Sequence, residues 1–210
     1  IELEYEMVAE RVLWVRITNV PAYLAAEGIT IEVPDFGPLT VDIAYGGNFY
    51  AIVEPQGPYT GLDALGAARI IDLSRSIRRV LRETIEPVHP LNATIRGVSH
   101  ILWADAPKGE GADGRNAVFY GERAIDRSPC GTGTSARLAH LHAKGRLKVG
   151  QAFVHESYIG SRFIGRVEAE TLIGERGGIV PSIQGAAVMT GLSTIWIDED
   201  DPFHAGFTVT

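Results

Sequence analysis

The chain has 210 residues, 45% of them hydrophobic and 21% charged, which allows one large domain or two small lobes around a real core and argues against a disordered chain. Acidic residues outnumber basic ones by 26 to 19, for a formal charge of -7, and no Lys- or Arg-rich block is present, so nucleic acid is not an expected partner. Apolar runs such as Val12–Val15 fall far short of the roughly 20 residues that span a bilayer, so no membrane is expected, and the single cysteine, Cys130, excludes an internal disulfide and a cysteine-rich metal site.

From the start, Ile1–Val20 is rich in Val, Ile, Leu, Tyr and Trp and predicts two short strands with a turn near Ala9–Glu10. Ile1 leads straight into the first strand, with no signal peptide, initiating Met or preceding turn; this suggests that the chain continues a structure begun upstream. Ile29–Val33 and Leu39–Tyr45 alternate as strands around a Pro34–Pro38 turn. Gly46-Gly47-Asn48 follows, either as a tight turn or as a loop whose bare backbone approaches a ligand, and Phe49–Val53 resumes the strand.

Between Leu62 and Glu83 the apolar positions Leu65, Ile70, Leu73, Ile77, Val80 and Leu81 keep helical spacing, and Pro87 and Pro90 stop the helix. Val98–Ala104 and Ala117–Tyr120 have strand character and flank Lys108–Asn116, which reads as an exposed loop. A second helix spans 130–145, with Gly145 as its cap. Beyond it, Gln151–Tyr158, Phe163–Ala169, Ala186–Met189 and Thr194–Asp198 read as strands. Many strands with two well separated helices predict an α+β fold, a mostly antiparallel sheet wrapped around each helix.

The chemistry concentrates at Cys130. Pro129 keeps Ser128 out of helical geometry, so the cysteine falls at or just before the first turn of the second helix. A lone thiol is ordinarily a small buried apolar group. At a helix N-terminus, however, free N–H groups and the macrodipole favour the thiolate, and a thiol pKa can fall from about 8.5 to roughly 3.5–7.5. Gly131 and Gly133 bare those N–H groups and Thr132 and Thr134 add hydroxyls, which suits a carboxylate or a phosphate; the lysine of a phosphate loop is absent.

Asp126 lies close enough in sequence to hold an ammonium group. Sulfur, anion cradle and carboxylate together suit proton transfer at the α-carbon of an amino acid. A Cys–His hydrolase needs a histidine base, and spacing selects none of His89, His100, His140, His142, His155 and His204. His140 and His142, two apart on a helix, do not form a metal pair, and a redox thiol would want a second cysteine.

The stretch Asp126-Arg127-Ser128-Pro129-Cys130-Gly131-Thr132-Gly133-Thr134-Ser135-Ala136 resembles the second-cysteine motif of the proline racemase superfamily. Val41–Tyr50, Val154–Ser157 with Gly160-Ser161, and Asp201–Phe203 with Gly206-Phe207 extend the likeness over nearly the whole chain. The resemblance implies a diaminopimelate-epimerase-like fold of two pseudo-symmetric lobes, each a sheet around a central helix. On it, residues 1–33 are tail strands of the first lobe, 34–190 the second lobe, and 191–210 a segment returning to the first.

The same resemblance implies cofactor-independent epimerisation of hydroxyproline, or of proline, by two thiols facing opposite sides of the α-carbon, with Cys130 as one of them. Gly131 and Thr132 are implied to bind the substrate carboxylate through backbone N–H groups, and Asp126 to contact the ring nitrogen. Asn48 is implied to line the cleft. His100 either reaches a ring hydroxyl or is an ordinary strand-end histidine.

The other thiol of the pattern, in a Met-Cys-Gly-His type motif, does not occur in this chain. The implied partner is therefore the missing N-terminal lobe of the same protein, in a cytoplasmic homodimer acting on a small molecule with no metal. A trans-3-hydroxyproline dehydratase, which needs one thiol base, and a non-catalytic carboxylate-binding fragment are the other readings.

Overall fold

The computed structural model describes residues 1–207, which form thirteen strands and two helices. Ala9 and Glu10, at φ 46° and 65°, turn β1 (Glu2–Val8) back onto β2 (Arg11–Thr18), where the sequence predicts it; positive φ at both positions matches the twist of a two-residue hairpin. β3 (Tyr23–Val33), β4 (Gly37–Tyr45) and β5 (Phe49–Val53) form an antiparallel meander. α1 (Leu62–Thr84), then the small hairpin of β6 (Val88–His89) and β7 (Asn92–Arg96), lead to β8 (His100–Asp105), parallel to β5.

β9 (Gly114–Tyr120) and β10 (Ala124–Ile125) precede α2 (Gly131–Ala143), and this second crossover sets β11 (Ala152–Glu156) parallel to β9. The hairpin of β12 (Arg162–Ile173) and β13 (Arg176–Gly185) completes an eleven-stranded sheet in the order β1-β2-β13-β12-β11-β9-β8-β5-β4-β3, with β10 attached to β9. Ala22 and Ile179 exchange backbone hydrogen bonds of 2.9 and 2.8 Å, so the chain entering β3 returns beside β13 and the sheet curls around α2.

The expected antiparallel sheet around a central helix therefore describes α2, which packs on β3, β4, β5, β12 and β13 and has every residue from Gly133 to Leu141 buried. Its small residues, Ser135, Ala136 and Ala139, let strands approach on several sides. α1 is not wrapped. It lies on the outer face of the same sheet, with Ile70, Leu73, Ile77 and Leu81 packed in one cluster with Ile101, Trp103 and Phe119. Each such side chain contributes about 2 kcal/mol by leaving water. Asp105 accepts from Leu62 N–H at 2.8 Å to hold the start of α1.

The last strands differ from expectation. Ala186–Met189 and Thr194–Asp198 form no strand; the final one is β13, whose Gly177, Gly178 and Pro181 hide its alternation. Gly178 is required there, because a Cβ would come within 2.6 Å of the Ala22 carbonyl oxygen at the closure. Gly114–Asn116, expected in an exposed loop, are buried in β9. Residues 208–210, the end of the expected 191–210 segment, lie outside the described residues. No helix among the described residues is long and apolar enough to cross a membrane.

Candidate active site

Cys130 is the N-cap of α2, as the position of Pro129 predicts, and it takes φ 67° and ψ 123°. Its backbone is held from both sides. Its N–H donates to Ser128 Oγ at 3.1 Å and its carbonyl accepts from Thr134 N–H at 2.8 Å. The Pro129 carbonyl accepts from Asn116 Nδ2 at 2.8 Å. Asp126 Oδ1 in turn accepts from the N–H and the hydroxyl of Ser128, both at 2.9 Å, so the carboxylate anchors the turn that presents the thiol.

Around the sulfur, Gly133 N–H donates to Sγ at 3.4 Å, the Tyr50 hydroxyl lies 3.3 Å away and Thr132 Oγ1 3.8 Å away. Gly133 and Thr134 thus spend their N–H groups on Cys130. Those of Gly131 and Thr132 make no hydrogen bond among the described residues. They border a cavity of about 420 Å³ whose wall also includes Asn19, Ser128 and the apolar Val15, Ile17, Phe163 and Ile183. A wider groove of about 610 Å³ opens near the other end of α2, at His142, Glu170 and Leu172, away from the thiol.

His100 and Asn48 come to the same place through Tyr50. The His100 ring stacks on Tyr50 at 4.9 Å between centroids, and the Asn48 side chain reaches the Tyr50 phenol. Gly46-Gly47 brings bare backbone close to α2 itself: a Cβ on Gly46 would run into the Thr132 carbonyl oxygen and the Ala136 nitrogen. Asn19 pins this contact by donating to the Gly46 carbonyl at 3.2 Å and to Ser135 Oγ at 3.0 Å.

Electrostatics correct one expectation. Burial pushes the Cys130 thiol up, and the negative charge of Asp126 adds to that; Tyr50, Gly133 N–H and Thr132 pull the other way without prevailing. The donors expected at the helix end are present, but desolvation outweighs them. Burial likewise lowers His100, with the Arg78 cation acting in the same sense and Asp126 against it. His155 donates to or accepts from Thr134 Oγ1 at 3.0 Å, is fully enclosed and is held down to about 3, so it rests neutral behind the helix and not at the sulfur. Among the described residues no group of three or more His, Cys, Asp or Glu is placed to hold a metal ion.

A family model described as proline racemase matches residues 1–208. The chain belongs to the proline racemase family. It is 56% identical over 209 residues to a 4-hydroxyproline 2-epimerase of Ancylobacter novellus, covering all of this chain and 63% of that protein. A hydroxyproline epimerase from Agrobacterium vitis, solved with bound trans-4-hydroxy-L-proline, superposes with a TM-score of 0.85 at 32% identity, over 98% of this chain and 58% of that one. A probable proline racemase from Agrobacterium radiobacter K84, solved with bound carbonate, gives 0.86 at 34% identity, over 99% and 60%. The chain thus spans less than two thirds of the length of these relatives.

Within this proline racemase family chain, the structure gathers Cys130, Asp126, Gly131, Thr132, His100 and Asn48 at one end of α2. Reading the sequence missed Tyr50, Ser128 and Asn116. Ser128 had a readable signal, because a serine two residues after an aspartate and before a proline favours a side-chain-capped turn. Tyr50 and Asn116 had only their polar tips in otherwise apolar strands.

Proposed function

We propose that the protein containing this chain epimerises hydroxyproline at its α-carbon without a cofactor, by proton transfer between two thiols, of which this chain supplies Cys130. The observation that carries this reading is the pair of unspent N–H groups, on Gly131 and Thr132, beside a buried thiol and next to an open cavity. The named relatives, a 4-hydroxyproline 2-epimerase and a hydroxyproline epimerase, support the substrate.

In this mechanism the carboxylate of the substrate sits on the Gly131 and Thr132 N–H groups. Charge that builds on the carboxylate as the α-proton leaves is stabilised there by the helix end. Asp126 Oδ1 is occupied by Ser128, which leaves Oδ2 for the ring nitrogen. His100, neutral, faces the ring hydroxyl, and Asn48 lines the cleft. A thiol raised by burial rests protonated, so Cys130 donates a proton to one face while a second thiol, outside this chain, takes one from the other.

On this reading, residues 1–33 and 191–207 face the lobe that carries the second thiol, with 34–190, joined by β3, forming the lobe around α2. The exposed apolar side chains of the edge hairpin and tail, among them Leu3, Tyr5, Leu13 and Trp196, support such a covering partner. A cytoplasmic homodimer belongs to the same proposal.

The test uses the full-length protein with trans-4-hydroxy-L-proline in deuterium oxide. The α-proton resonance is expected to disappear as signals of the 2-epimer grow, and Cys130→Ser is expected to slow both by about 10²–10⁴-fold. Retention of the α-proton by the unaltered enzyme would sink the proposal, and loss of ring water from a 3-hydroxyproline would mark a dehydratase instead.

A further inference from the structure

Tyr50 is fully buried in β5, a strand whose five residues all are. Alternation sends Phe49, Ala51 and Val53 to the cluster shared with α1, and Tyr50 and Ile52 to the α2 side. From there the phenol comes up beneath the first turn of α2, with its oxygen 3.3 Å from Cys130 Sγ and 2.6 Å from Thr132 Oγ1. A phenol has one proton to give, and here it meets two acceptors.

We propose that Tyr50 is a positioning residue that sets the balance of thiol and thiolate at Cys130, by turning its one O–H between Sγ of Cys130 and Oγ1 of Thr132. With Cys130 as S–H, the thiol donates to the phenol oxygen, the phenol donates to Thr132 Oγ1, and the Thr132 hydroxyl keeps its proton and turns it outward. With Cys130 as S⁻, the phenol turns to the sulfur and Thr132 donates to the phenol oxygen. No proton leaves Tyr50 in either state, because burial, and then the charge of Cys130, push its ionisation far up.

The alternative is that Tyr50 only fills space and stacks on His100. A phenylalanine would do that equally well. It would leave the sulfur with Gly133 N–H at 3.4 Å and the Thr132 hydroxyl at 3.8 Å, and without its nearest donor. Thr132 works in the same sense as the phenol, since in the thiolate state its hydroxyl, 2.6 Å from the phenol oxygen, donates to it and so frees the phenol proton for the sulfur.

The experiment is the pH dependence of iodoacetamide alkylation of Cys130 in the full-length protein, read by mass spectrometry of the peptide that carries Cys130, with thermal unfolding followed in parallel. Tyr50→Phe is expected to move the inflection up and to slow alkylation about tenfold at a pH below it, the effect of losing one hydrogen bond to a charged group. Thr132→Val, which removes the hydroxyl that donates to the phenol in the thiolate state, is expected to move it up as well, by less. If either profile stays where it was, or moves down as loosened packing that lets water reach the thiol would move it, the proposal is overturned. Should Tyr50→Phe fail to fold, Thr132→Val decides alone, and an unmoved or lowered inflection overturns the idea. The assay needs no substrate, so failure of the hydroxyproline reading leaves it untouched.

Discussion

Cys130 keeps a backbone conformation, φ 67°, that residues with a Cβ seldom adopt and that costs on the order of 1–3 kcal/mol. Its neighbours over-determine it: Ser128, Thr134, Asn116 through Pro129, and Gly133 all hold the turn. The strain and the sulfur's hydrogen bonds separate in two substitutions. Cys130→Ala loses the bonds and keeps the strain, whereas Cys130→Gly loses both. The Gly variant is expected to be the more stable of the two by about 1 kcal/mol in urea unfolding, the reverse of the usual penalty for glycine. An Ala variant of equal or greater stability would show that the turn is relaxed.

At the scale of elements, the first turn of α2 is fixed by the loop between β4 and β5. Gly46 lies so close beneath it that Gly46→Ala forces backbone against backbone, and a loss of about 3 kcal/mol is expected. Gly177→Ala is the control: nothing lies within 4 Å of its Cβ position, and its urea midpoint should stay within about 0.5 kcal/mol of the parent. The sequence makes α1, β4, β5 and the start of α2 legible because spacing and Pro129 are local signals. β13 is not legible, since Gly178 and Pro181 answer to strands far away in the chain. Cys130, Asp126, Gly131 and Thr132 could be named from the cysteine motif, Asn48 from the Val41–Tyr50 stretch and His100 only from its place at a strand end, but the upward push on the thiol depends on how deeply the sheet encloses it, and no local pattern states that. Tyr50 is hidden for the same reason, its partners being some eighty positions on.

Across the molecule, a line of charge inside the curled sheet ties α2 to β4 and to the end of β5. Arg137 donates to His140 Nδ1 at 2.8 Å, so the ring's Nε2–H donates to Asp42 Oδ2 at 2.8 Å; Arg137 and Arg146 both hold Glu54, at 2.7 and 2.8 Å, and Lys144 reaches Asp42 at 2.9 Å. Burial pushes the Asp42 carboxyl up, but donation from His140, Gly28 N–H and Lys144 outweighs it and holds the group well below the usual carboxylate range. For Glu54 the same contest of burial against Arg137 and Arg146 ends at about 2.

A carboxyl whose folded value is depressed stabilises the fold above its unfolded value, about 4. That contribution drains away as pH falls toward the folded value. The free energy of unfolding in urea should therefore decline from about pH 5 down to about pH 2. Asp42→Asn and Glu54→Gln should begin less stable at neutral pH and decline less steeply, because the proton that breaks the line has no carboxylate left to take. Variants that lose stability on the same slope as the parent would place the acid sensitivity elsewhere, in carboxylates such as the exposed Asp63 and the buried Glu156, both also held down by their partners, and would leave the line around α2 with a packing role alone.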